Sequence, residues 1–177
     1  MFIHGTFNEP MCILFHSGVI SLHRQHDNLL LANLTTPIII GLRLISDNID
    51  TLPPFFYFRA ESDVTYELID PQDAKKKIEK QQLWKNVAMY QMMLTTQLIK
   101  YIDNMSNVET SNLIDYCLEK LANEPDQIRN RRTAVDYIMD KTNLSRSNIS
   151  KVLAERKKEG KITTYKGLLI SKKDTTV

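Results

Sequence analysis

The stretch 133–172, TAVDYIMDKTNLSRSNISKVLAERKKEGKITTYKGLLISK, decides the fold. Thr133 is a helix N-cap, and Ala134, Tyr137 and Ile138 share one face of the helix that follows. That helix stops near Thr142-Asn143-Leu144. Ser145 caps a second helix from Arg146 to about Glu159, with Ile149, Val152 and Leu153 as its inner stripe. Gly160 suits the left-handed position just past its end. Two helices joined by a turn of about three residues form a helix-turn-helix. Lys161–Tyr165 and Leu168–Lys172 are short strands around Lys166-Gly167, a hairpin that makes a wing. In such a module the second helix enters the DNA major groove and the wing lies along the backbone.

The outer face of the second helix has matching chemistry. Ser145, Arg146, Ser147, Asn148 and Lys151 lie near its start and are not needed for the inner stripe. Arginine can bridge guanine O6 and N7, and asparagine can bridge adenine N6 and N7. Ser145 and the free N–H groups at the helix start can hold a phosphate. Arg146 and Lys151 are therefore expected at base edges. Arg156, Lys157 and Lys158, further along, and Lys166 on the wing are expected at phosphates. Charge agrees: residues 129–177 hold 13 Lys/Arg against 5 Asp/Glu, whereas residues 1–128 hold 10 against 16. A basic quarter on an acidic body is the footprint of a polyanion-binding module. The blander reading, that these charges only solvate an exposed face, must explain the charge excess, the helix pair and the wing together.

Working outward, Ser106-Asn107-Val108-Glu109 matches a capping box, and Ile114, Cys117, Leu118 and Leu121 follow at helical spacing. Asn123–Asp126 ends that helix, and Arg129–Arg132 is a basic connector. Upstream, Asp70-Pro71 is an N-cap followed by proline at the first helical position. No Gly or Pro then occurs before about Asn104, which predicts one long helix. Trp84, Val87, Gln91, Leu94, Leu98 and Tyr101 form one stripe, and Met89, Met92, Met93, Ile99 and Ile102 widen the apolar surface. A helix apolar on two sides must bury both. A second copy of the chain, paired through Val87, Leu94, Leu98 and their neighbours, would cover one of them. Residues 11–69 are short strands (Met11–Phe15, Val19–Arg24, Leu29–Leu34, Ile38–Ile45, Phe55–Arg59 and Val64–Ile69) separated by turn residues, the pattern of a sandwich or barrel. Pro53-Pro54 excludes a central strand there.

The run Arg132–Ser171, with LSRSNISKVLAERKKEGKI inside it, resembles the DNA-binding domain of the CRP/FNR regulators. Trp84–Asn123 resembles that family's dimerisation helix and the helix after it. MCILFHSGVISLHR, LLLANLTTPIIIGL and YFRAESDVTYELIDPQD resemble strands of its jelly-roll sensor. Within that family the chain resembles the small enterobacterial CRP-like proteins. The resemblance implies an α+β fold: a cupin-like β jelly-roll over 1–70, a dimerisation helix over 71–105 and a winged helix-turn-helix over 106–177. It places the family's DNA-reading positions on Arg146, Ser147 and Lys151. The second of these commonly carries Glu in the family, so Ser147 departs from the usual base readout. Cyclic-nucleotide members also carry a Gly-Glu-Leu segment and an Arg-Ser/Thr pair. Here Gly41 precedes Leu42-Arg43, and Ser46–Pro54 is too short for the cassette and has no Arg. The family's haem-binding members use a His on the long helix, whereas all four His here precede Asp27.

The implied function is a homodimeric transcriptional regulator that binds an inverted repeat in duplex DNA, with RNA polymerase as a further partner, no cofactor and no cyclic-nucleotide control. The resemblance places it in the cytoplasm. Two alternatives come from other classes. The winged helix could serve protein contact in a co-regulator. His16, His23, His26 and Asp27 could also hold a divalent metal in a cupin-type sensor or enzyme. Cys12 and Cys117 are too few for a four-thiolate centre and read as reduced core residues. Phosphate-binding glycine loops, HExxH and an ordered Ser/His/Asp set are absent from the sequence, so no enzymatic activity is expected. No run approaches the ~20 apolar residues needed to span a membrane.

Overall fold

The strands of the N-terminal half pair into two antiparallel sheets, in a computed structural model that describes residues 2–3, 11–46, 56–106 and 108–172. One sheet has the order β1-β6-β3-β4 and the other β5-β2-β7. The strands are β1 (Phe2–Ile3), β2 (Cys12–Ser17), β3 (Val19–Arg24), β4 (Leu30–Thr35), β5 (Ile38–Ile40), β6 (Phe56–Ala60) and β7 (Thr65–Ile69). Ile13, Phe15, Ile20 and Phe58 fill the space between the sheets, with the Phe15 and Phe58 rings 6.1 Å apart. β3 is covered on both faces: Ile20 points between the sheets, while Val19 joins the core of the C-terminal half. The expected strand over Ile38–Ile45 is cut short. Gly41 has φ +91, where a Cβ would lie 3.0 Å from the Met11 carbonyl oxygen. The chain then turns into a short 3₁₀ helix, Leu42–Ile45, that buries Leu42 and Ile45. Positions 47–54, including Pro53-Pro54, lie outside the described residues.

The long helix is two. α1 (Pro71–Lys80) starts as expected, with the Asp70 carboxylate accepting from the Gln72 and Asp73 N–H groups at 2.8 and 3.2 Å. It ends at Gln81, and Gln82 adopts φ +55. The Leu83 N–H donates to the Ile78 carbonyl at 2.9 Å and the Gln82 N–H to that of Glu79 at 3.1 Å. This is a Schellman stop with glutamine in the place usually taken by glycine, so no Gly or Pro announces it. Ile78 is buried and Leu83 packs against the same cluster. α2 (Trp84–Met105) then runs for 22 residues, about 33 Å, with no fully buried residue.

α3 (Thr110–Ala122) begins later than the capping box suggested. Ser106 closes α2, its N–H donating to the Ile102 carbonyl at 3.0 Å, and Glu109 is the N-cap without a side-chain bond. The connector contains a further turn of helix, α4 (Asp126–Arg129). The stripe itself is as expected: Ile114, Cys117, Leu118 and Leu121 are fully buried. They pack with Tyr137 and Ile138 of α5 (Ala134–Thr142), Ile149 and Leu153 of α6 (Arg146–Lys158), and Ile162 and Leu169 of the β8–β9 hairpin (Ile162–Tyr165, Leu168–Lys172). Val19 and Leu30 of the roll enter this core, so the halves share apolar contact. Among the described residues no helix is long and apolar enough to cross a membrane.

Candidate nucleic-acid interface

α5, α6 and the hairpin take the predicted order. The Thr133 hydroxyl accepts from the Asp136 N–H at 3.1 Å, and the Ser145 hydroxyl accepts from the Asn148 N–H at 3.3 Å. Asn143 has φ +57 and ends α5 in the left-handed region. Ile149 and Leu153 hold α6 against the core, with Val152 packed beside them. Opposite them, Ser147, Lys151, Ala154 and Lys158 recur at helical spacing and are exposed; Arg146, Ser150 and Lys157 line one flank, also exposed. At the wing tip Lys166 and Gly167 both have positive φ, +48 and +85, as a type I′ hairpin requires. The Lys166 ammonium lies 5.5 Å from the centroid of the exposed Tyr165 ring.

The basic residues divide sharply. Arg156, expected at a phosphate, is a structural residue: its side chain is 14% exposed, and its guanidinium donates to both Asp115 oxygens, at 2.9 and 2.7 Å. Arg129 pairs with Asp126, Lys161 with Glu159 and Lys172 with Glu119. Arg131 donates to the Glu61 carbonyl at 3.3 Å. Lys141 is buried, and its ammonium donates to the Leu31 carbonyl at 3.4 Å. Arg146 is well exposed, with one Nη2–H on Asp136 at 2.7 Å. Asp136 carries no sequence signal of this role beyond its place in a helix's first turn. The Thr133 hydroxyl and the Arg146 guanidinium outweigh partial burial and hold its carboxyl below the usual range. Lys151, Lys157, Lys158 and Lys166 form no ion pair among the described residues. Ser145 and Ser147 share a hydroxyl contact at 3.1 Å, and Asn148 is exposed.

The connector holds the two halves together. Arg132 donates to Glu61 of the roll at 3.0 Å and to Asp140 of α5. Glu61 also accepts from the Ser21 hydroxyl at 2.6 Å and from Arg59 at 2.9 Å. Burial alone would raise the Glu61 pKa, yet Ser21, Arg132 and Arg59 bring it below its ordinary value. Asn33 donates to Glu124 at 2.8 Å, and Asn143 to Asp27 at 3.0 Å. Sequence spacing gave no hint of these long-range pairs.

α2 presents its apolar surface differently from the expected stripe. Val87 packs on the roll with Tyr90, whose hydroxyl donates to the Ile39 carbonyl at 2.8 Å. Leu94 and Tyr101 are half-buried. Trp84, Gln91 and Leu98 are exposed, as are Met92, Ile99 and Ile102. The outward face is therefore Trp84, Met92, Leu98, Ile99 and Ile102, and the predicted set straddles both sides of the helix.

The described histidines, His16, His23 and His26, share no site with one another. His23 is buried, stacked on Tyr57 with ring centroids 5.1 Å apart and bonded to Ser21 and the Asn28 carbonyl. Burial is the main cause that holds its pKa below the ordinary value. His16 faces Glu67 at 3.7 Å and His26 faces Asp27 at 3.6 Å. Among the described residues no group of three metal-binding side chains forms.

Residues 110–174 match the family model described as winged helix-turn-helix DNA binding. The chain is 27% identical over 174 residues to the Inhibitor of hydrogen peroxide resistance of Escherichia coli strain K12, covering 97% of this chain and 80% of that relative. A CooA variant from Carboxydothermus hydrogenoformans superposes with a TM-score of 0.71 at 13% identity, covering 98% of this chain and 80% of the other. A CRP/FNR-family transcriptional regulator from Thermus thermophilus gives 0.62 at 17% identity, covering 91% and 83%. The chain has the fold of the CRP/FNR regulators and ends in a winged helix-turn-helix, as the sequence resemblance implied.

Proposed function

We propose that this chain, with its CRP/FNR fold and C-terminal winged helix-turn-helix, is a cytoplasmic transcriptional regulator and not an enzyme, and that it binds duplex DNA through α6 and the wing. One observation carries the reading. Most basic side chains of the described C-terminal quarter are engaged in internal contacts. Those with neither an ion pair nor a hydrogen bond there, Lys151, Lys157, Lys158 and Lys166, all lie on α6 or the wing tip. An unneutralised stripe on the helix that a winged module inserts into the groove is what a polyanion site requires. Arg146 and Lys151 read base edges; Lys157, Lys158 and Lys166 contact phosphates.

The working form is a homodimer paired through the outward face of α2. Its two α6 helices meet an inverted repeat with half-sites about one helical turn apart. RNA polymerase is a further partner of such a regulator. Cyclic nucleotide does not control it, because the sequence has no phosphate-cradling Arg in the 46–54 stretch. A micromolar cyclic-AMP site in calorimetry would overturn that part.

The DNA reading is tested on a duplex enriched by the full chain from a randomised library. Arg146→Ala is expected to cost about 1–3 kcal/mol on that duplex and to relax base choice at one position. Lys157→Ala is expected to weaken all duplexes alike and to lower the salt slope by about one. If neither variant alters DNA binding, α6 is a protein-contact surface and the co-regulator reading takes its place.

A further inference from the structure

We infer that Asp136 is a positioning residue for base recognition, holding Arg146 at the start of α6 and referencing it to the wing tip through Thr133. The inference rests on the DNA-binding reading above. Asp136 and Arg146 belong to different helices, ten residues apart, yet the Arg146 Nη2–H donates to Asp136 Oδ1 at 2.7 Å. The other Asp136 oxygen accepts from the Thr133 hydroxyl at 2.6 Å, and that hydroxyl accepts in turn from the Asp136 N–H at 3.1 Å. The carboxylate is thus fixed at both oxygens. Thr133 also meets the wing: the neighbouring Ala134 N–H donates to the Gly167 carbonyl at 2.8 Å, and a Cβ on Gly167 would lie 3.0 Å from the Thr133 methyl. Wing tip, helix start and arginine are therefore held in one frame.

The chemistry suits base reading. Guanidinium has five N–H donors in a rigid fork. Asp136 takes one, and the remainder can serve the two acceptors of a guanine edge. An exposed arginine on a free stem would lose side-chain freedom on docking, and a held one loses less. The same carboxylate carries a cost. It is about half exposed beside the docking helix, so its charge opposes every phosphate regardless of sequence. Asp136 therefore raises discrimination while lowering general affinity, two effects of opposite sign that a folding defect would not produce.

The test uses the full chain and the library-enriched duplex, with a second duplex altered at the base pair that Arg146→Ala ceases to distinguish, and a random duplex. Asp136→Asn, which removes the charge and keeps an oxygen for the Thr133 hydroxyl, is expected to lose about fivefold or more of the preference at that pair. It should bind the random duplex at least as tightly as the unmodified chain, and the Asp136→Asn, Arg146→Ala double variant should discriminate no worse than Arg146→Ala alone. If Asp136→Asn keeps its preference while Arg146→Ala loses it, the inference fails and base reading by Arg146 stands. If Arg146→Ala keeps its preference, or no duplex is enriched, base reading fails and takes the inference with it. Equal losses on preferred and random duplexes would mark Asp136 as structural only. Thermal melting of each variant accompanies the assay. Should Asp136→Asn not fold, Asp136→Glu, which shifts the charge by one methylene, is read by the same outcomes.

Discussion

A charged side chain is defined by what it faces, and here two arginines of one helix have opposite fates. Arg146 and Arg156 are ten residues apart on α6, but Arg146 lies on the flank beside the outer face and Arg156 beside the buried stripe, where Asp115 of α3 meets it. Both read as basic in the sequence; the helical period sets them on different faces, and the docking of α3 supplies the carboxylate that takes up Arg156. Glu61 shows the same dependence and gives a pH signature. Its folded pKa lies below the ordinary carboxylate value, because Ser21, Arg132 and Arg59 outweigh burial. The unfolded chain then binds a proton at a higher pH than the folded chain does. The stability Glu61 contributes is complete above its ordinary range, near pH 4.5. It is lost as pH falls through the depressed folded value. Chemical denaturation from neutral to acid pH should show a steeper acid decline for the unmodified chain than for Glu61→Gln. Parallel profiles would sink this assignment.

Among elements, α2 is the one whose environment the chain alone leaves incomplete. Its inner side is half-buried on the roll, while Met92 at 69% and Ile99 at 62% relative exposure stand outside. An apolar helical face of this width marks an interaction surface. Leu98→Glu with Ile99→Glu is expected to give folded monomers, since a dimer would bury like charges along its seam. Leu94→Glu should instead lower thermal stability, because Leu94 is already half-buried within its own chain. Sedimentation velocity at micromolar protein separates these outcomes, and a monomeric unmodified chain would refute the pairing. The break between α1 and α2 belongs to this scale too. Helical propensity continues through Gln81-Gln82-Leu83, but packing Leu83 with Ile78 favours a stop there.

At the scale of the whole molecule, the roll and the winged helix are joined by polar contacts over a shared apolar seam. Arg132 is the centre of that joint, half of its fork on Glu61 and half on Asp140, with its side chain 14% exposed. Arg132→Ala leaves Asp140 without its cation and Glu61 with Arg59 alone, and is expected to cost about 2–4 kcal/mol. It should also separate the melting of the two halves, visible as two transitions in calorimetry. A single transition with an unchanged midpoint would show that the apolar contacts of Val19 and Leu30 suffice. Because the joint includes Asp140 of α5 and, through Asn143 and Asp27, the turn before α6, it also fixes how the DNA-facing helix sits on the roll.

The winged helix, its caps, its inner stripe and its turns were legible because each is a local rule. Thr133, Ser145, Asn143 and Lys166-Gly167 act on their own backbone, and Ala134, Tyr137, Ile138, Ile149 and Leu153 act through helical period. Most sheet strands were legible for the same reason, but β1 was not foreseen and the strand expected over Ile38–Ile45 ends at Ile40. What only the tertiary structure decided is which of several equivalent charges and apolar faces is used. Asp115 receives Arg156, the roll receives Val87 and Asp136 receives Arg146. Each of these pairs spans elements that no short-range period connects. Burial and Coulomb energy depend on distance in space, and the sequence specifies distance only along the chain.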